Sequence, residues 1–157
     1  MILIADCSAL IALSVCDSLH LLDALFGTVL VPEAVHQEAT ASDKPEAIKL
    51  ASYLRDKVRP VDTSAYVFLD AFADAGETHA MLLYKQLGAD RLLIDDKRGR
   101  KIAKINNINV IGSLGVLLAA KNEGLIPEVR SLIETIQNSR VFLSPTIIAA
   151  ALEIAGE

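Results

Sequence analysis

The first five residues, MILIA, carry no polar side chain and stop abruptly at Asp6; Arg91 to Ile94 (RLLI) repeats the device and stops at Asp95-Asp96. A strand that short and that apolar has to be covered on both faces. Strands covered on both faces belong to parallel sheets wrapped by helices. Thr28 to Val31 (TVLV) and Asn109 to Ile111 read the same way, and Arg59 to Val61 is a further short strand. Helical patterns fill the intervals. The expectation is an α/β protein, a three-layer α/β/α arrangement around a central parallel sheet. The chain is expected to form one domain over residues 1–157, with no internal repeat or linker.

The helices are placed by their stop and start signals. Ser8 is the expected N-cap of a helical stretch over residues 9–26, which breaks near Cys16-Asp17-Ser18. Pro32 opens a helix to about Ala41, and Ser42 to Pro45 is a loop. Further helices are expected over Glu46 to Val58 and Thr63 to Phe72, and from Gly76 to Leu87, where Gly88 closes the last. Lys97 to Ile105 is a basic helix, Leu114 to Asn122 is stopped by Gly124, Pro127 opens one to Asn138, and Ser144-Pro145 caps one to Ala155. The aliphatic residues of that last helix (Ile147, Ile148, Leu152, Ile154) have the core as their default destination, with a homodimer interface as the alternative.

Composition narrows the function classes. Hydrophobic residues make up 52% of the chain, which excludes disorder, and with aromatics at 4% and no Trp the core must be aliphatic. Cys7 and Cys16 form neither a CxxC pair nor a zinc pattern with histidine, so both read as reduced, buried thiols. No segment reaches the roughly 18 to 20 apolar residues of a membrane span, and no basic region precedes the first apolar run. No membrane association and a cytoplasmic location are therefore expected. The net charge of −5 is opposite to that of a protein binding nucleic acid by bulk charge. Either nucleic acid is not the partner, or several acids are held at a metal site whose cations offset them.

The acids are placed in favour of the second choice. Asp6 follows the first strand and Asp95-Asp96 the third. In an open parallel sheet ligands bind beyond the carboxyl ends of the strands, so both acidic turns reach one edge. Glu38 lies four residues after Ala34 and three after Val35, and Glu77 lies three, four and seven before Ala80, Met81 and Tyr84. Each is thereby expected on the apolar stripe of its helix. Glu33, Glu46 and Asp74 lack such alignment and read as solvated. A partly buried carboxylate needs a partner. Basic residues are sparse near Asp6, Glu38 and Glu77, and an all-oxygen ligand set selects Mg²⁺ or Mn²⁺ over zinc. Such a site suits water activation and phosphate chemistry. Taken singly, each acid has a plainer role: a turn residue at Asp6, a snorkelling Glu38, a helix-dipole acid at Glu77, a cap at Asp95-Asp96.

The segments IADCSALIALS (4–14), VLVPEAVHQE (29–38), AGETHAMLL (75–83), RLLIDDKRGRKIA (91–103), VIGSLGVLLAAKNEGLIPEVRSLI (110–133) and FLSPTIIAAALEIAGE (142–157), in this order, resemble the PIN-domain family, and most closely its DUF3368 subgroup. The resemblance covers essentially the whole chain. It implies an acidic cluster that binds Mg²⁺ or Mn²⁺ and cleaves RNA. By position, Asp6, Glu38 and Glu77 match family acids. The last acid falls at Asp95 or Asp96: toxin-like relatives favour Asp96, strand-end geometry favours Asp95, and the sequence leaves both open. Ser113 matches a small hydroxyl residue beside the site, and Ser8 lies close to Asp6. His79 departs from the pattern and reads as a surface or neighbouring residue. The resemblance also implies an antitoxin protein as a partner, covering the crevice.

Lys97, Arg98, Arg100, Lys101 and Lys104 follow the acidic turn and are candidates to hold a single-stranded or looped RNA backbone. The bland alternative is a solvated amphipathic helix. Two rival functions compete: a non-catalytic module of the same fold that binds RNA or protein, and a phosphotransfer protein. The second is disfavoured, because a dehalogenase-like site needs an Asp where Ser8 stands, and a receiver needs a Lys where the fourth strand ends in Gly112-Ser113.

Overall fold

The computed structural model describes residues 1–41, 43–64 and 74–157. Among these, the strands β1 (Ile2–Ala5), β2 (Thr28–Pro32), β3 (Val58–Arg59), β4 (Arg91–Leu93) and β5 (Val110–Ile111) form one sheet in the order β3-β2-β1-β4-β5. Every pairing is parallel. The helices are α1 (Cys7–Val15), α2 (His20–Phe26), α3 (Glu33–Ala39), α4 (Ala47–Leu54), α5 (Ala75–Leu87), α6 (Lys97–Ile105), α7 (Ser113–Asn122), α8 (Arg130–Gln137) and α9 (Pro145–Ala155). This is the expected three-layer α/β/α fold.

The two central strands are as dry as their composition requires. Leu3, Ile4 and Ala5 of β1, with Leu92 and Leu93 of β4 and the adjoining Ile94, are wholly buried. The ladder runs one step past β1, because Asp6 N–H donates to the Leu93 carbonyl at 2.8 Å. Asp6 is therefore fixed by the sheet itself. Ile94 N–H donates in the same way to the Ile111 carbonyl at 2.9 Å, which fixes the backbone leading into Asp95. Because the strands are parallel, β1, β4 and β5 all end on one edge, and Asp6, Asp95-Asp96 and Gly112-Ser113 lie along it.

Several local expectations are corrected. Asp6 is the N-cap of α1 and Ser8 lies inside that helix, so Ser8 does not cap it; the extended backbone at Asp6 leaves Cys7 as the first helical residue. Pro32 ends β2 and caps α3, which stops at Ala39. The helix expected over Glu46 to Val58 is α4, shortened to Leu54 because Val58 joins β2 as strand β3. The helix expected from Pro127 starts at Arg130. Of the helix expected over Thr63 to Phe72, Thr63 and Ser64 form a turn. There Asp62 accepts hydrogen bonds from the N–H and hydroxyl of Ser64. The remainder lies outside the described residues. Only Ile148 and Ala151 of α9 are buried, while Ile147 and Ile154 are exposed, so that helix offers less to the core than its composition suggests.

Candidate functional site

The carboxyl edge of the sheet gathers the acids. Asp6 is 4% exposed, and its side chain makes no capping bond to α1. Burial pushes its carboxyl up to about 7; the Cys7 N–H works against this, and the charges of Glu77, Asp74 and Glu38 add to it. Glu77 enters from the first turn of α5, on the inward stripe as expected, and is 7% exposed. Burial raises it to about 7 as well, followed by the charge of Asp74 and then by Asp96, which acts through charge and a shared hydrogen bond. No described lysine or arginine forms an ion pair with either carboxylate.

Asp74, read from the sequence as solvated, belongs to this site. It is exposed, but it caps α5 in a reciprocal box with Glu77. The Asp74 carboxylate accepts from Glu77 N–H at 2.7 Å, and Asp74 N–H donates to Glu77 Oε2 at 3.4 Å. The box orients Glu77 and brings a further negative charge to the cluster. The signal was present in the sequence as an N-capping acid three residues before a Glu.

Glu38 departs from its expected position. Ala34 is half-buried and Val35 buried, but Glu38 is exposed, because α3 ends one residue later and leaves it at the rim. Its carboxylate still faces the cluster: a Cβ on Gly76 would stand 3.0 Å from Glu38 Oε2 and 3.4 Å from Asp74 Oδ1. Gly99 leaves similar room for Glu77, whose Oε1 lies 3.1 Å from where a Cβ would stand. The absent side chains of two helical glycines thus hold space for two carboxylates.

Asp95 and Asp96 divide. Both oxygens of Asp95 are engaged by the first residue of α7: Ser113 N–H donates to Oδ1 at 2.6 Å and Ser113 Oγ–H to Oδ2 at 2.7 Å. Ser113 is wholly buried, so this pair fastens β5 and α7 to the end of β4. Asp96 caps α6, accepting from Gly99 N–H at 2.7 Å through Oδ2, and faces Glu77. A cleft of about 600 Å³ is lined by Asp74, Glu77, Asp96, Lys97, Arg98 and Lys101. Arg100 points instead into a second, larger groove that Ser8 and Asp95 also border, while Lys104 is exposed and borders neither. His79 is half-buried and borders neither. Glu33 is exposed, as expected, whereas Glu46 is largely covered and pairs with Arg140 at 2.9 Å.

A family model described as DUF3368: PIN domain matches residues 2–157. The chain belongs to the PIN-domain family. No curated protein matches its sequence. PIN domains are nuclease-type hydrolases that typically use divalent metal ions, and the donors of this PIN domain suit such an ion. They are carboxylate oxygens, two of them buried, raised in pKa and without a described cationic partner. Among the described residues, no three acidic, imidazole or thiol groups converge closely enough to hold an ion in the positions they take. The acids of this PIN domain lie near enough for their charges to raise the pKa of Asp6 and Glu77. Both cysteines are free and buried, as expected; burial and the Glu38 charge push the Cys7 thiol up to about 12, which leaves it protonated and unreactive. Among the described residues no single helix is long and apolar enough to cross a membrane.

Proposed function

We propose that this PIN domain is a metal-dependent endoribonuclease that hydrolyses phosphodiester bonds of single-stranded or looped RNA. The observation that carries this reading is the pair of buried carboxyls, Asp6 and Glu77, set at the sheet edge with acids around them, and α6 cations lining the cleft that Glu77 borders. Asp6, Glu77 and Asp96 would hold Mg²⁺ or Mn²⁺, with Glu38 and Asp74 at the rim. A bound ion supplies Lewis-acid charge to the phosphate and lowers the pKa of a water molecule.

The chain's own groups do the rest. Lys97, Arg98 and Lys101 hold the RNA backbone along the cleft that Glu77 and Asp96 border. Asp6, at the end of β1, would orient the attacking water and accept its proton. Asp95 positions α7 through Ser113 and is assigned no ligand role. The α6 cations, together with an ion when one is bound, would offset the net charge of −5 where RNA approaches.

The resemblance to toxin-like relatives makes an antitoxin protein the proposed partner, and the two free, buried thiols fit the cytoplasm as the proposed location. The alternative, a module of the same fold that binds RNA without cleaving it, is separated by one experiment. Cleavage of single-stranded RNA is measured with Mn²⁺, with EDTA, and with the Asp6→Asn variant. The expected result is cleavage in Mn²⁺ alone; equal cleavage by Asp6→Asn or in EDTA overturns the proposal.

A further inference from the structure

We infer that the groove on the far side of Asp96 is a base-binding subsite, with Phe142 as the ring on which a nucleotide flanking the cleaved bond stacks. The inference rests on the ribonuclease reading and adds to it where the neighbouring nucleotide lies. The groove has a volume of about 780 Å³, within the roughly 300–1,000 Å³ of ligand sites. Asp96 and Lys97 border both it and the acidic cleft, so the two run into each other. A chain lying across the carboxylates continues into the groove.

The groove offers both kinds of surface that a nucleotide needs. Lys97, which borders the cleft as well, and Arg100 line the groove from α6, three residues apart and therefore neighbours on one face; neither makes an ion pair among the described residues. Most of the remaining lining is apolar, including Leu118 of α7, Phe142, and Ile147 and Ile154 of α9, with Ser8, Asp95, Ser113 and Ser144 as its polar members. Phe142 is 82% exposed, and among the described residues it is the exposed aromatic. Cations and an exposed ring in one groove suit a phosphate and its base. A protein helix laid here would need acidic residues for Lys97 and Arg100 as well as an apolar face, whereas one nucleotide meets both needs.

The test compares wild type, Phe142→Ala and Phe142→Trp, binding a short fluorescently labelled single-stranded RNA in EDTA. A second RNA of equal length carries abasic positions. Removing the ring is expected to weaken binding of the ordinary RNA about ten-fold, and Trp is expected to restore it. Abasic RNA is expected to bind wild type and Phe142→Ala equally. Unchanged binding by Phe142→Ala, or an equal loss on abasic RNA in both proteins, overturns the subsite. So does sedimentation showing that wild type is a dimer which Phe142→Ala dissociates, because the groove is then an interface between copies. The nuclease reading fails separately: it falls if Asp6→Asn cleaves as wild type does, whatever Phe142 contributes to binding.

Discussion

Glu77 of α5 lies over Gly99 of α6, so close that a Cβ there would stand 3.1 Å from Glu77 Oε1 and 2.6 Å from Ile94 Cδ1. Both are the far ends of side chains, but Ile94 is wholly buried and Glu77 nearly so. Gly99→Ala gains up to about 1 kcal/mol of helix propensity and loses about 1–3 kcal/mol to overpacking. The expected outcome is a small net loss of stability by denaturant titration, with a fall in RNA cleavage of about a hundred-fold, because a shift of about 1 Å at a reacting group has that effect. Wild-type cleavage by this variant would show that Glu77 does not depend on the space above Gly99.

Asp95 and Asp96 are adjacent in sequence and are expected to fail differently. Asp95→Ala leaves the N–H and hydroxyl of buried Ser113 without their acceptors, at a cost of about 1–3 kcal/mol of stability. Asp96→Asn keeps a competent cap on α6, since Asn caps about as well as Asp, but removes the charge beside Glu77. Thermal melting is expected to move for Asp95→Ala and hardly at all for Asp96→Asn. Metal-dependent cleavage by Asp96→Asn is expected to fall by about a hundred-fold or more, in the range of lost electrostatic contacts to a transition state. The reverse pattern would make Asp95 the ligand.

The sheet was legible because MILIA and RLLI are too apolar to face water, and parallel strands then fix which edge carries Asp6 and Asp95-Asp96. Glu77 was legible for the related reason that its helix is long enough for a stripe to mean burial. Glu38 was misplaced because α3 is only seven residues long, and a stripe drawn to Ala41 overstates what the helix covers. Asp74 escaped because stripe logic ignores the residue before a helix, although its spacing to Glu77 marks a capping box. Separating Asp95 from Asp96 required the position of Ser113, a partner 18 residues away. Ile147 and Ile154 were assigned to the core by default; apolar character alone does not say which side of a short helix is covered.

Glu157 supplies a pH test away from the site. Its carboxylate pairs with Lys121 at 2.8 Å and accepts from the Val129 and Arg130 N–H groups at 2.9 and 3.0 Å, which together hold it down to about 2. A glutamate in the unfolded chain titrates near about 4.3. A depressed folded value makes the contribution complete above the unfolded value, and it is lost as pH falls through about 2. The difference in Tm between wild type and Glu157→Gln is therefore expected to be constant near neutral pH and to shrink in acid. A gap independent of pH would mean that the carboxylate charge contributes nothing.

Asp6 has the opposite sign. Its carboxyl rises from 3.8 to about 7 on folding, so in this interval the folded chain binds the extra proton. Stability is then greatest below the unfolded pKa and declines as pH rises towards about 7. In EDTA the wild-type Tm is expected to be higher in mild acid than above neutrality, and Asp6→Asn, which carries no charge to bury, is expected to melt above wild type at alkaline pH. Mn²⁺ is expected to raise the wild-type Tm most where Asp6 and Glu77 would otherwise be ionised against each other, and to raise that of Asp6→Asn much less. Differential scanning fluorimetry across pH with and without Mn²⁺ reads all three. If Asp6→Asn gains as much from Mn²⁺ as wild type does, the ion binds elsewhere and the buried carboxyl is not its ligand.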